Sequence, residues 1–223
     1  MCVAALATTE LAGTDVWIVR IGASDEVSVE MLARGEDRAR YAQIVPPRRK
    51  RQFIFRRVAL DYVLRQYVDD YRIERGAGGK PRVVTRGAPL YYSASSSADL
   101  CAVVVSQAPV GVDLEGRSQQ VDINGICEKY VPQFAGMSEM WKNGRIARQL
   151  ALCAWCRTES NVKLHGLTLH AVLFKREGGT EPQESEDIVI SGADFVCVVS
   201  QHAHLGLNNI HHIAFDRVLE RTS

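Results

Sequence analysis

The chain has 223 residues, 46% hydrophobic and 24% charged, with 27 Lys and Arg against 26 Asp and Glu and a formal charge of +1. That balance describes a globular protein long enough for one large domain or two of about 110 residues. It excludes a nucleic-acid coat and a disordered tail, so any electrostatic function must rest on local charge.

The chain opens with a strand at 15–21 ("DVWIVRI"), followed by a charged helix start at 35–44 and a long helix over about 48–68. A glycine-rich turn at 74–82 leads into two strands, "APLYYSAS" and "DLCAVVVS", and then into "VGVDLE" at 110–115. The second half begins with a polar stretch and carries helical segments over about 121–165. Strands "TLHAVLF", "DIVIS", "DFVCVVS" and a closing "HHIAF" follow, with an acidic loop at 176–187 between the first two. No apolar run approaches the roughly 18 residues of a membrane span. The start "MCVAALATTE" lacks the basic residues and long apolar stretch of a secretion signal, so a cytoplasmic protein with no membrane role is expected.

Helix followed by sheet thus occurs twice, and the letters repeat with it. "VVSQAPVGVDLE" (104–115) aligns with "VVSQHAHLGLNNI" (198–210), and "RQFIFRRVALDY" (51–62) can be laid on "RQLALCAWCRTE" (148–159) at nearly the same offset. The reading is an α+β fold of two similar halves, 1–116 and 117–223, packed as an intramolecular pseudo-dimer and monomeric as a whole.

The repeat also isolates what is not repeated. Asp113 and Glu115 correspond to Asn208 and Ile210, and Glu159 corresponds to Tyr62. Side chains two apart on a strand share a face, which puts Asp113 and Glu115 roughly 7 Å apart with like charge. Trp155, Glu159 and Lys163 follow at i, i+4 and i+8 on one helical stripe. Taken singly, these are a solvated strand end and a surface Glu–Lys pair worth about 0.2–0.5 kcal/mol. Taken together, three carboxylates can hold a hard cation such as Mg²⁺, which fills its remaining positions with water and phosphate oxygens.

The first half also supplies phosphate-seeking groups. Nine Lys or Arg lie between residues 34 and 57 against two acids, and Lys80 sits in the glycine-rich turn. Nucleic acid is disfavoured as the partner by the neutral total charge and by the lack of an aromatic-interleaved basic strand. "CAWC" (153–156) has no second ligand pair for zinc, and the histidines of 201–212 have no acidic or thiol partner at ligand spacing, so both are read as packing or surface groups.

The order of Gly79-Lys80-Pro81, then Gly111-Val112-Asp113-Leu114-Glu115, then Trp155, Glu159, Lys163 and Gly166 resembles the 4'-phosphopantetheinyl transferases of the larger, pseudo-dimeric class. The resemblance runs from the first strand to Gly166 and fades over the last fifty residues. It implies transfer of the 4'-phosphopantetheine arm of coenzyme A to a serine of an acyl or peptidyl carrier protein, with release of adenosine 3',5'-bisphosphate. It assigns Mg²⁺ to Asp113, Glu115 and Glu159, catalysis to Glu159 and Lys163, and grip on coenzyme A to Arg51, Lys80, Ser95 and Ser96. The family helix usually reads Lys-Glu where this chain has Thr158-Glu159, so one cation is missing unless Arg157 or Arg56 supplies it. The family strand usually reads Ser-His-Ser where this chain has Ser95-Ser96-Ser97. Two other classes remain open: a module that binds coenzyme A without transferring its arm, and a metal-dependent nuclease or phosphohydrolase. The latter is disfavoured because Lys163 lies four residues after the last acid, on a helix.

Overall fold

The computed structural model describes residues 11, 13–22, 25–75, 81–85, 89–117, 145–167 and 185–220. The elements are β1 (Thr14–Arg20), a short 3₁₀ turn (Val29–Met31), α1 (Gly35–Ala42), α2 (Pro47–Leu64), β2 (Arg72–Arg75), β3 (Pro81–Val84), β4 (Tyr91–Ser97), β5 (Leu100–Ser106) and β6 (Val110–Gly116). After the segment outside the described residues come α3 (Arg145–His165), β7 (Ser185–Ser191), β8 (Phe195–His202), β9 (Leu207–Ala214) and α4 (Phe215–Leu219). The protein is α+β. No helix among the described residues is long and apolar enough to cross a membrane.

Two sheets pack face to face between two long helices. The first has the order β4-β5-β1-β9, the second β6-β8-β7, and β2 and β3 form a separate antiparallel pair. β1 is antiparallel to β5 and parallel to β9. Each main sheet therefore draws strands from both sides of residue 117.

The runs "LCAVVV" and "FVCVV" are apolar at every position because both faces of their strands are covered, which is why alternation is absent there. On one side Val16, Ile18, Leu100, Ala102 and Val104 of the first sheet meet Val110, Val112, Leu114, Phe195, Cys197 and Val199 of the second. On the other side Trp17, Val19, Cys101, Val103 and Val105 meet Phe53, Phe55, Ala59 and Val63 of α2, and Phe215 of α4 closes the layer. Across the second sheet, Val196 and Val198 receive Ala151, Leu152 and Cys156 of α3. Pro47 begins α2 at the position where a missing N–H costs nothing.

The long helix expected over 48–68 and the strands expected at 15–21, 110–115 and 187–191 lie within one to four residues of the observed bounds. The closing strand starts earlier than "HHIAF", at Leu207, and ends by handing Phe215 to a short helix. The "TLHAVLF" strand and the helical segments before residue 145 lie outside the described residues.

Candidate functional site

β6 presents two different faces. Val110, Val112 and Leu114 point into the core between the sheets, while Gly111, Asp113 and Glu115 face α3. Gly111 sets the distance: a Cβ there would lie 1.8 Å from the carbonyl oxygen of Ser160 and 2.6 Å from the amide nitrogen of Leu164. Only glycine admits α3 this close to the strand. Gly166, at φ 64°, ends the helix one turn later, with the amide of Leu167 donating 3.0 Å back to the carbonyl of Val162. The last turn of α3, which carries Lys163, is thus fixed above the two strand acids.

The contacts follow from that approach. Lys163 Nζ donates to Asp113 Oδ1 at 2.7 Å and to the carbonyl of Val112 at 3.0 Å. Ser95 donates to the same Asp113 oxygen at 2.8 Å, and Ser97 donates to Glu115 Oε2 at 2.8 Å. Ser93 and Ser97 also accept from the amides of Val112 and Gly116, so alternate serines of β4 staple it to β6. Lys163 turns inward to Asp113 instead of pairing along the helix surface with Glu159. Among the described residues no ion pair joins those two side chains.

The acids are under electrostatic stress. Burial pushes the Glu115 carboxyl above its ordinary range; the Ser97 hydroxyl offsets part of this, and the charges of Asp113 and Glu159 add to it. Burial likewise pushes Glu159 up, helped by Asp113 and opposed by Lys163. Asp113 Oδ2 is buried and, among the described residues, has no hydrogen-bond partner. An all-oxygen donor set with one vacant buried carboxylate oxygen and mutual repulsion is what a hard divalent cation relieves, so the residues fit Mg²⁺ in chemistry. As arranged, Lys163 holds Asp113 Oδ1, and among the described residues no three His, Cys, Asp or Glu side chains converge tightly enough to form a metal centre.

Beside Lys163 opens a cleft of about 670 Å³, bounded by α1, α2, β4 and the end of α3. Its wall carries Arg34, Arg40, Arg56, Arg57 and Lys163 against Glu36 and Asp37. The excess of cations suits a phosphorylated ligand, and the volume suits a small molecule.

The remaining expected site residues are distributed as follows. Arg51 donates to the carbonyls of Gly22 and Asp25 at 3.3 Å each, tying α2 to the loop after β1. Ser95 faces the acids, whereas Ser96 lies on the opposite face of β4, across from Cys101 and on the α2 side with Tyr92 and Ala94, which line the cleft. Lys80 lies outside the described residues. Arg157 is bound to Asp187, which also accepts from Asn161 and Ser200. Cys153 and Cys156 are free thiols on one helix, Cys156 fully buried. His211 stacks on Trp17 with centroids 4.0 Å apart. Ser93 and Arg40 were not legible as site residues, and Ser97 entered only as the last letter of Ser95-Ser96-Ser97: the serines are marked by alternation on β4, and Arg40 is one of nine cations in its stretch.

Against known proteins, no family model matches this chain and no curated protein matches it.

Proposed function

We propose that the chain transfers the 4'-phosphopantetheine arm of coenzyme A to a serine of a carrier protein. The observation that carries this is one juxtaposition. Asp113 and Glu115 of β6 meet Glu159 and Lys163 of α3, more than forty residues on, at the edge of a cationic cleft. The fold class the proposal brings with it, two similar halves at 1–116 and 117–223, is supported by the order of elements. α2 is followed by the separate β2–β3 pair and then by β4, β5 and β6, α3 is followed by β7, β8 and β9, and the last strand of each run, β6 or β9, joins the sheet of the other half.

In this reading the serine oxygen bonds to the phosphorus on the pantetheine side of the pyrophosphate. The bond to adenosine 3',5'-bisphosphate breaks, and Glu159 accepts the serine proton. A carboxyl raised by burial is a stronger base than an exposed one, which suits Glu159 to that task. Lys163 holds Asp113 in place and lies on the cleft wall, where it offsets negative charge on the leaving side. Asp113, Glu115 and Glu159 would hold Mg²⁺, which when bound neutralises and orients a pyrophosphate.

A second reading, coenzyme A binding without transfer, is favoured by the engagement of Asp113 Oδ1 with Lys163. Incubation with coenzyme A, Mg²⁺ and an apo carrier protein separates the two. A mass gain of one phosphopantetheine on the carrier, lost in Glu159→Gln while coenzyme A still binds, supports the transferase. Binding with no mass gain from the wild type supports the second reading. Equal transfer by wild type and Glu159→Gln removes Glu159 from catalysis.

A further inference from the structure

Among the described residues β7 and β9 each end a sheet, and the chain guards the two edges differently. β7 carries Glu186 and Asp187, the latter held by Arg157. β9 is parallel to β1 on one side, and among the described residues no strand lies on its other side. Its first four residues are exposed, Leu207 at 38% and Ile210 at 41%, although their partners on β1, Thr14 and Val16, are fully buried. Residues 207–214 include no Lys, Arg, Asp, Glu or Pro. An exposed strand edge without charge or proline is a template for another strand.

We propose that β9 is the surface through which two copies of this chain associate, pairing antiparallel about a two-fold axis at Ile210 so that their first sheets join into one. The letters of the strand point to a second copy as the occupant. Leu207-Asn208-Asn209-Ile210-His211-His212-Ile213 is a palindrome of polarity: apolar, two polar, apolar, two polar, apolar. Residues opposite each other in an antiparallel ladder share a face, so a two-fold axis normal to the sheet passes between the two copies of one residue. Centred on Ile210, it sets Ile210 against Ile210 of the second copy, Asn209 against His211, Asn208 against His212 and Leu207 against Ile213. Apolar then meets apolar, and polar meets polar. Moved one residue either way, the axis sets Ile210 against Asn208 or His212 and the match is lost. The pairing with β1 is irregular between Leu207 and Asn209 and regular from Asn209 to Ala214, so the three central pairs lie on regular backbone. No charge on the strand opposes a like copy, and the two partners present the same patch, as a closed two-fold contact requires. A contact confined to one strand is small, so the association is weak and concentration-dependent. None of the cleft-lining residues lies on β9, so the pairing neither needs nor tests the transferase reading.

Sedimentation velocity on the whole chain, under reductant and from about 5 to about 500 µM, reads the association; wild type should pass from monomer toward dimer across this range. Ile210→Lys sets two like charges face to face at the axis and should raise the midpoint concentration at least about tenfold, and Ile210→Glu should do the same. An equimolar mixture of Ile210→Lys and Ile210→Glu puts opposite charges at the axis and should restore association, a result that only pairing about Ile210 gives. Val189→Lys, at an exposed apolar residue of β7, should match wild type. Ile210 is exposed, so these substitutions leave the core intact, and melting curves check that each variant is folded. A wild type that stays monomeric at the highest concentration would overturn the proposal. Undiminished association of Ile210→Lys would overturn it as well, and so would a mixture no more associated than its components.

Discussion

The two long helices cover opposite faces of the same pair of sheets, and they do so by different means. The nine buried residues of α2 between Phe53 and Leu64 are apolar or aromatic, and the helix seals the first sheet by hydrophobic burial. α3 buries Ala151, Leu152, Cys156, Val162 and Leu164, but also Ser160, whose hydroxyl lies 2.7 Å from that of Ser200. Asn161 and Arg157 extend this polar seam to Asp187, and Lys163 ends it on Asp113. A helix that must lie over two carboxylates cannot be held there by apolar contact alone. It needs a glycine beneath it and partners for each buried polar group. The difference leaves the buried face of α2 to stability, with its cations Arg56 and Arg57 on the cleft wall, and the last turns of α3 to the candidate site.

The largest expected effects break that division if it is wrong. Phe55 is fully buried with its ring edge-on to Phe215 at 5.1 Å, and Phe55→Ala should cost about 3–5 kcal/mol. At about 2–4 °C per kcal/mol for a chain of this size, the fall in Tm is easily read by calorimetry. Gly111→Ala forces α3 away from β6 and should cost about 1–3 kcal/mol, as overpacking does. The two should differ in kind: in samples still folded, Gly111→Ala should lose the proposed transfer to a carrier protein, whereas Phe55→Ala should retain it. Retained transfer in folded Gly111→Ala would show that the approach of α3 does not build the site.

A smaller effect sharpens the contrast at the end of the polar seam. Lys163→Met leaves Asp113 buried without its cation, and a hydrogen bond to a charged group is worth about 1.5–3 kcal/mol. Lys163 is 30% exposed, so the lower end applies. Adding Asp113→Asn should recover part of the loss, because the uncompensated charge is then gone. Chemical denaturation of both single variants and the double variant reads the coupling. Strict additivity would mean that water supports Asp113 as well as Lys163 does, and that the contact does not position the site.

The contrast between helices also separates what sequence patterns can carry from what they cannot. The helix at 47–64 and the strand "VGVDLE" were legible because their apolar spacing and bounding prolines and glycines are local. The asymmetry of Asp113, Glu115 and Glu159 stood out in the letters because 104–115 and 51–62 can be laid on 198–210 and 148–159, and each of those acids is unmatched in the stretch opposite it. Pairing was not: "LCAVVV" is apolar on both faces, and nothing in its letters states that β1 lies on one side of β5 and β4 on the other. Nor does the run of nine cations show that Arg51 is used by the loop after β1 while Arg56, five residues on, faces the cleft. That depends on where α1 and α3 pack, which is long-range information. The serines of β4 are the clearest case. One face staples the acids and the other meets α2, and only the observed register assigns Ser95 to the first and Ser96 to the second.

The smallest expected effect comes from an ion pair that resembles Lys163–Asp113 in chemistry but not in setting. Arg20, at the end of β1, lies 2.8 Å from Asp194 in the β7–β8 turn and 3.2 Å from Asp99 in the β4–β5 turn, joining the rims of the two sheets. Asp194 is about half exposed. The hydrogen bond from Arg20 is the main cause that lowers its pKa below the ordinary value of about 3.8. A carboxyl lowered on folding contributes stability above its unfolded pKa and loses it as pH falls through the folded one. Asp194→Asn should therefore cost about 0.2–1 kcal/mol at pH 7, the range of exposed pairs, and the difference from wild type should close as pH drops below about 4. Near 1 M salt, where the screening length is about 3 Å, it should shrink as well, while the cost of Lys163→Met should persist because that pair is largely shielded from solvent. Equal salt sensitivity of the two variants would mean that the Lys163–Asp113 contact is as open to water as the rim pair, and the contrast between a sealed site and an exposed clasp would fail.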